Sequence, residues 1–360
     1  MSTWDLVSGL ALEIEGYRLA RIDGPVVSGG VRSTTVIALA GPDGEGLGED
    51  VTYATEDHDA LNAAGPTLPL AGSWTLERFS EHLGTLDLFP SPPHAEVYRN
   101  YRSWAFESAA LDLALRQAAK PLHNVLGRTP RPVDFVASVR LPEPPTLELI
   151  DDRLRRHPDL RFKLDPTASW DAALIGELAA RRIVATADLK GLYSGTIVDN
   201  SPDPVLYGLI AELLPDAWIE DPALVAETEP VLAPYHDRIT WDVPIHSVAD
   251  VLALPWMPRM LNVKPSRFGT VRALFDFYDH CAANAIGSYG GGQTELGVGR
   301  GQIQYLASLF HPDAPNDVAP AGYNLDPLPA DLPGSPLAPA PAPTGFRWVS
   351  GDPDSVGAAA

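Results

Sequence analysis

Five ionisable residues, Lys163, Asp188, Glu220, Asp242 and Lys264, follow one another at separations of 25, 32, 22 and 22 residues. Each separation is about one strand-plus-helix unit, and each residue closes a short apolar run of the kind that forms a buried strand. Parallel strands end on one face of their sheet, so such spacing gathers all five side chains around a common mouth. Three carboxylates brought together repel one another unless a cation lies between them. Oxygen ligands without cysteine or histidine favour Mg²⁺, with Mn²⁺ as a substitute. Such an ion leaves positions for a substrate carboxylate and stabilises the enediolate formed when the neighbouring carbon loses its proton. Two flanking lysines then serve as acid and base, provided a nearby cation and loss of water bring one to its neutral form. Taken singly, each acid reads as a helix cap or a loop salt-bridge partner and each lysine as a solvated rim charge. The joint pattern is less easily accidental.

The elements that must position these residues begin near Val133, where short apolar runs alternate with amphipathic helical stretches. The strand candidates are DFVASVRL, LRFKLD, IVATADL, AWIED, RITWDV, MLNVKP, AIGSYG and DVAPAG. Eight such runs predict an α/β fold closed into a barrel over residues 131–325. Ahead of it, residues 1–130 predict a smaller α+β domain. Alternating segments at Leu12 to Ala20 and Arg32 to Leu39, separated by DGPVVSGG and GPDGEGLGE, predict an antiparallel sheet. Helical spacing between Val97 and Leu126 predicts two helices broken at Pro121. A tail rich in proline and alanine, residues 326–360, is expected to be an extended connector with a short strand at Phe346 to Val349 and a loose end.

Composition narrows the partners. A chain of 360 residues that is 45% hydrophobic buries a large core. Its 47 acidic and 26 basic residues, a formal charge of −21, argue against nucleic acid as a partner. The single cysteine, Cys281, fits a reducing cytoplasm and a buried apolar role. The N-terminal MSTWDLVSGLALEIEG lacks a basic, signal-like start, and no apolar stretch of about 18 residues occurs, so no membrane association is expected. The expected partner is a small-molecule carboxylate.

Residues 262–303, NVKPSRFGTVRALFDFYDHCAANAIGSYGGGQTELGVGRGQ, resemble the muconate-lactonizing branch of the enolase superfamily. Within it they are most similar to o-succinylbenzoate synthases and N-acylamino-acid racemases, which carry KPxR and a later GGxxExGxGR. FKLDPTASWD, WIEDP, FESAALDLALRQAAKPL and RSTTVIALAGPDGEGLGE, ending at Glu49, extend the likeness over most of residues 12–324. The resemblance implies a (β/α)7β TIM-like barrel under an α+β capping domain, to which the tail returns, and a homo-oligomer. It implies Lys163 and Lys264 as opposed acid/bases and Asp188, Glu220 and Asp242 as Mg²⁺ ligands, the five residues that spacing alone selects. It also implies substrate-covering loops at Asp23 to Gly30 and Asp50 to Asn62.

Departures from the family pattern bear on which reaction runs. Arg161 stands where the first lysine of KxK is usual and keeps the charge without titrating. Lys190 replaces the usual Asn and is expected either to pair with Asp221 or Glu295 or to contact a substrate anion. Val243 stands where an acid is common. His246 follows Asp242 as either a pocket residue or an idle loop histidine. Arg267 is expected to bind a distal substrate carboxylate or to form a surface ion pair. Gly291 and its neighbours permit backbone approach to a ligand or a tight turn. Gln293 lies in the same turn, and Glu295 is expected to orient Lys264 or Lys190. The function these features point to is Mg²⁺-dependent removal of a carboxylate's α-proton, leading to dehydration or racemisation. Cycloisomerisation and epimerisation are alternatives, although DVAPAGYN lacks the Asp-x-Asp of dipeptide epimerases. A further alternative is a binding protein that has lost turnover.

Overall fold

One 20-residue helix organises the N-terminal third. The chain, described here by a computed structural model over residues 1–25, 30–42, 44–196 and 198–349, begins with strands β1 (Ala11–Ile14), β2 (Gly16–Pro25), β3 (Val31–Gly41) and β4 (Gly44–Asp50). Helix α1 (Thr55–Ala64), strand β5 (Gly72–Thr75) and helices α2 (Leu76–Leu83), α3 (Tyr98–Gln117) and α4 (Leu122–Leu126) follow. Strands β2, β3 and β4 form an antiparallel sheet. Helix α3 lies directly on it because two glycines clear the way. A Cβ on Gly46 would stand 2.2 Å from the Ala109 carbonyl oxygen, and one on Gly48 1.9 Å from that of Ala105. Trp104, Phe106, Leu111 and Leu115 of α3 are all buried, each contributing about 1.5–3 kcal/mol through burial. Its buried charges are handled unequally. Arg102 pairs with Asp50 at 2.8 Å, and Asp112 with Arg347 at 2.7 Å. Glu107 accepts the Val271 N–H at 3.2 Å, and its Oε1 has no hydrogen-bond partner among the described residues.

Two N-terminal expectations change. The segment Leu12 to Ala20 breaks at Glu15, and β1 pairs with β5 in a separate two-stranded sheet. Most of Asp50 to Asn62 is helix α1 rather than loop. Alanine and leucine favour the helix, and Glu56 and Asp57 complement its N-terminal dipole. Of the other expected loop, Asp23 to Pro25 belong to β2, and residues 26–29 lie outside the described residues. The break at Pro121 falls between α3 and α4 as expected.

The rest of the chain alternates strands with helices. Strands β6 (Val136–Val139), β7 (Arg161–Leu164), β8 (Val184–Asp188), β9 (Trp218–Glu220) and β10 (Ile239–Thr240) form one parallel sheet in chain order. Strands β11 (Met260–Val263) and β12 (Gly287–Gly290) form a parallel pair. Between and after them lie α5 (Glu148–Arg156), α6 (Ala172–Arg181), α7 (Pro204–Leu213), α8 (Glu229–Leu232), α9 (Val248–Ala253), α10 (Pro265–Phe268), α11 (Val271–Ala283) and α12 (Val298–Phe310). All five residues of β8 are buried, the mark of a parallel strand covered on both faces. Backbone bonds lead onward from sheet to pair: Asn262 N–H donates to Trp241 O at 3.1 Å and Asp317 N–H to Gly290 O at 2.7 Å. Val136 N–H then donates to Asn316 O at 2.9 Å. The expected eighth strand is reduced to a bridge between Phe135 and Asn316, since Pro320 cannot donate to a ladder.

The tail comes back to the N-terminal third. Phe346 N–H donates to Asp112 Oδ1 at 2.7 Å and Leu122 N–H to Gly345 O at 3.1 Å. In place of the expected strand at Phe346 to Val349 there is one bridge, Pro341 with Trp348. Residues 350–360, expected to be loose, lie outside the described residues. Among the described residues no helix is long and apolar enough to cross a membrane.

Candidate active site

The five residues selected by spacing lie at adjacent strand ends. Lys163 is in β7, Asp188 ends β8 and Glu220 ends β9, while Asp242 follows β10 and Lys264 follows β11. Asp188 and Glu220 face each other in register. All five are buried, Lys264 at 8% being the most exposed. Lys163 Nζ donates to Glu220 Oε1 at 2.5 Å and lies 3.0 Å from Asp188 Oδ2 and 3.8 Å from Asp317 Oδ2. Burial opposes its charge, but these three carboxylates outweigh it and hold its pKa well above the ordinary lysine value. Lys264 Nζ lies 2.9 Å from Asp242 Oδ2.

The carboxylates are held differently. Glu220 accepts the Tyr289 hydroxyl on Oε2 at 2.5 Å and Asn262 Nδ2 on Oε1 at 3.1 Å. Burial pushes its pKa up to about 7 despite Lys163. For Asp188 burial also opposes charge, yet Lys163 and Lys190 bring its pKa down to about 2. Asp242 is gripped by Arg267, with Nη1 to Oδ1 at 2.8 Å and Nη2 to Oδ2 at 3.3 Å, and by the Tyr193 hydroxyl at 3.0 Å. Against the cost of burial, Arg267 and Lys264 hold it well below the usual carboxylate range.

These residues fit a hard divalent cation. Six carboxylates, Asp165, Asp188, Glu220, Asp221, Asp242 and Asp317, share the neighbourhood with four cations, Lys163, Lys190, Lys264 and Arg267. The donors are all oxygen, and Asp188, Glu220 and Asp221 each offer an atom within 4.8 Å of the others. That trio differs from the expected one in having Asp221 in place of Asp242. Both Asp221 oxygens, however, already accept backbone N–H groups, from Asp242 at 2.8 Å and Val243 at 3.0 Å. Burial, then Asp242 and Glu220, push the Asp221 pKa well up. Asp221 thus braces the Asp242 backbone, although the Asp242 oxygens are themselves engaged by Arg267, and the residue after Asp242 needs only its N–H, which explains how Val243 serves.

Several neighbours depart from expectation. Arg161 is exposed at the start of β7, beside Arg182 and Asp216 at the N-terminal ends of the strands, and so does not join the cluster. Lys190 pairs with Asp188 and stands 3.8 Å from Asp165 Oδ1, not with Asp221 or Glu295. Arg267 is neither a surface ion pair nor an open anion site, because Asp242 occupies its fork. Glu295 accepts Gln293 N–H at 2.7 Å and lies 3.3 Å from Arg300, so it orients its own turn rather than either lysine. Gln293 is held between the Tyr101 hydroxyl at 2.9 Å and the Tyr53 hydroxyl at 3.0 Å. A Cβ on Gly291 would stand 2.6 Å from Asn262 Oδ1 and 3.0 Å from Lys264 Cε; here glycine is needed for close packing on the lysine. His246 is half-buried, its N–H bonded to Asp250 at 3.0 Å, and burial, with Arg267 nearby, lowers its pKa.

Tyr193, Asn262, Tyr289, Asp165 and Asp317 join the cluster without having been singled out. Asn262 carried a readable signal: it lies two residues before Lys264, on the same face of a strand. Tyr289 is its register partner, which only pairing reveals.

Comparison with known proteins places this geometry in a family. Residues 129–325 match the C-terminal domain, and residues 5–125 the N-terminal domain, of a family described as a domain of unknown function, DUF8230. The chain belongs to the DUF8230 family. It is also similar to an N-succinylamino acid racemase from Amycolatopsis sp., 24% identical over 337 residues and 86% of each chain. An o-succinylbenzoate synthase from Geobacillus stearothermophilus is 26% identical over 234 residues, 62% of this chain and 60% of the relative. Among solved structures, an enolase-superfamily member from Listeria innocua Clip11262 matches with TM-score 0.64 at 20% identity, covering 86% of both chains. A dipeptide epimerase from Methylococcus capsulatus, solved with a Mg ion, matches with TM-score 0.64 at 19% identity over 85% of this chain and 90% of that one. The resemblance read from residues 262–303 is borne out, and so is the expectation of an enzyme of lyase or isomerase type.

Proposed function

We propose that this DUF8230 protein uses Mg²⁺ and two lysines to move the α-proton of a small carboxylate substrate. Asp188, Glu220 and Asp242 hold the ion, and Asp221 positions the Asp242 backbone. When bound, the ion supplies the positive charge that stabilises the substrate's developing enediolate. Lys163 and Lys264 pair with different members of the carboxylate row, Lys163 with Asp188 and Glu220 and Lys264 with Asp242. If one lysine, in its neutral form, removes the proton and the other returns one to the opposite face, the substrate is racemised; if a β-hydroxyl instead takes that second proton and leaves as water, it is dehydrated. Gly291 packs closely on Lys264, and Tyr289 and Asn262 fix Glu220, so one acid/base group and one ligand are set in advance. The observation that carries the reading is the burial of five spaced residues as one row at adjacent strand ends. The relatives' racemase and o-succinylbenzoate synthase activities set the substrate classes to try: N-acylamino acids and succinylbenzoate precursors.

With this function go a strand ring closed through Asn316 into a (β/α)7β barrel, and an N-terminal α+β cap over residues 1–130 held by the tail. A cytoplasmic homo-oligomer completes the proposal. The test is exchange of substrate α-protons with deuterated solvent, followed by nuclear magnetic resonance in the presence of Mg²⁺. Lys163→Ala or Lys264→Ala is expected to lower exchange by about 10²–10⁴-fold with circular dichroism unchanged. Undiminished exchange in both variants refutes the assignment. A second reading, a binding protein without turnover, is favoured by the Lys190 ammonium on Asp188. It predicts ligand binding with no exchange in the wild-type chain.

A further inference from the structure

Lys190 claims Asp188 twice over. Its backbone N–H donates to Asp188 Oδ1 at 3.3 Å, and its ammonium bonds Oδ2. Its backbone is held in the left-handed region, at φ 55, a conformation that disfavours a side chain and persists only when the surroundings enforce it. The next N–H, from Gly191, donates to Asp221 O at 3.0 Å and pins that turn to the neighbouring strand end. The Lys190 ammonium also has a second carboxylate within reach. Asp165 Oδ1 is 3.8 Å away, buried and without a hydrogen-bond partner among the described residues. The Tyr193 ring lies 4.9 Å from Nζ, a face that favours a cation beside it. Lys163 shares Asp188 Oδ2 at 3.0 Å and also holds Glu220 Oε1 at 2.5 Å, so it is tied to two of the row's carboxylates where Lys190 is tied to one.

We infer that Lys190 is an internal competitor for the divalent cation, its ammonium holding Asp188 when the ion is absent and shifting to Asp165 when the ion binds. This rests on the reading of Asp188 as a metal ligand. A divalent ion and an ammonium on one buried oxygen repel strongly at low dielectric, so binding requires the ammonium to leave. Asp165 offers a place that leaves neither charge unpaired. Lys190 thus sets metal affinity low and Asp165 partly restores it.

The test is Mn²⁺ binding to metal-stripped protein, read from the paramagnetic resonance of the free ion. Lys190→Met, and Lys190→Gln as a polar control, are expected to bind Mn²⁺ about tenfold more tightly or better. Asp165→Asn is expected to weaken binding about threefold or more in the wild-type chain and by less in the K190M chain, the signature of residues that act together. Wild-type binding with K190M and K190Q unchanged or weaker overturns the inference and leaves the metal reading standing. An equal effect of D165N in both backgrounds also overturns it. Failure of the folded wild type and both Lys190 variants to bind overturns the metal reading and the inference with it.

Discussion

Asp188 and Asp242 are both buried at strand ends and both carry two cations, yet the two ends of the carboxylate row are built on different principles. At Asp242 a planar guanidinium forks onto both oxygens and a phenol adds a third bond. At Asp188 two ammoniums share one oxygen, and each has another carboxylate nearby. A fork fixes geometry, whereas a point charge on a flexible stem can be exchanged. The Asp242 end is therefore the more rigidly held, and the Asp188 end is the one whose partners can exchange, which is where the proposed ion would be accommodated.

The largest effect that sharpens this contrast falls at Arg267. Arg267→Met leaves Asp242 paired, among the described residues, with Lys264 alone and is expected to cost about 3–5 kcal/mol in chemical denaturation, as breaking a buried pair does. Arg267→Lys is expected to recover only part of that, because a point charge cannot fork. Full recovery by lysine would erase the difference between the two ends.

A buried acid with no salt-bridge partner among the described residues completes the comparison. Burial raises the Glu107 pKa to about 7, whereas Asp188, equally buried, sits at about 2 because lysines face it. A carboxyl whose folded pKa exceeds its unfolded value of about 4.3 favours the folded state below that value, and the benefit is lost as pH rises through 7. Glu107→Gln is expected to raise stability by about 3 kcal/mol at pH 8 and to change it little near pH 4.5. Equal effects at the two pH values, measured by urea denaturation, would mean that a cation reaches Glu107 after all.

Much of this was legible in the residues. Spacing alone assembled Lys163, Asp188, Glu220, Asp242 and Lys264, because parallel strands of similar length must end together. Seven of the eight expected runs contain observed strands, since β-branched and apolar residues bounded by turns leave little choice. What escaped reading depends on contacts between strands. Arg267 meets Asp242 across 25 residues, and nothing local announces that a basic residue in KPSR turns inward. Arg161 has the same parity as Lys163, yet two residues along a strand carry it to the other end of the sheet. The pairing of Lys190 with Asp188 depends on a left-handed backbone at Lys190, a conformation that its residue type does not suggest. The helix at Thr55 to Ala64 was readable from composition and was masked by the loop that the family likeness implied.

The central claim is that the row of acids holds one divalent ion through Asp242 and not through Asp221. Counting Mn²⁺ bound per chain in wild-type, D242N and D221N protein tests it directly. The account predicts one ion in the wild type, none in D242N, and one in D221N at an affinity weakened by no more than about tenfold, since Asp221 acts through the backbone it braces. An ion retained by D242N and lost from D221N would contradict it.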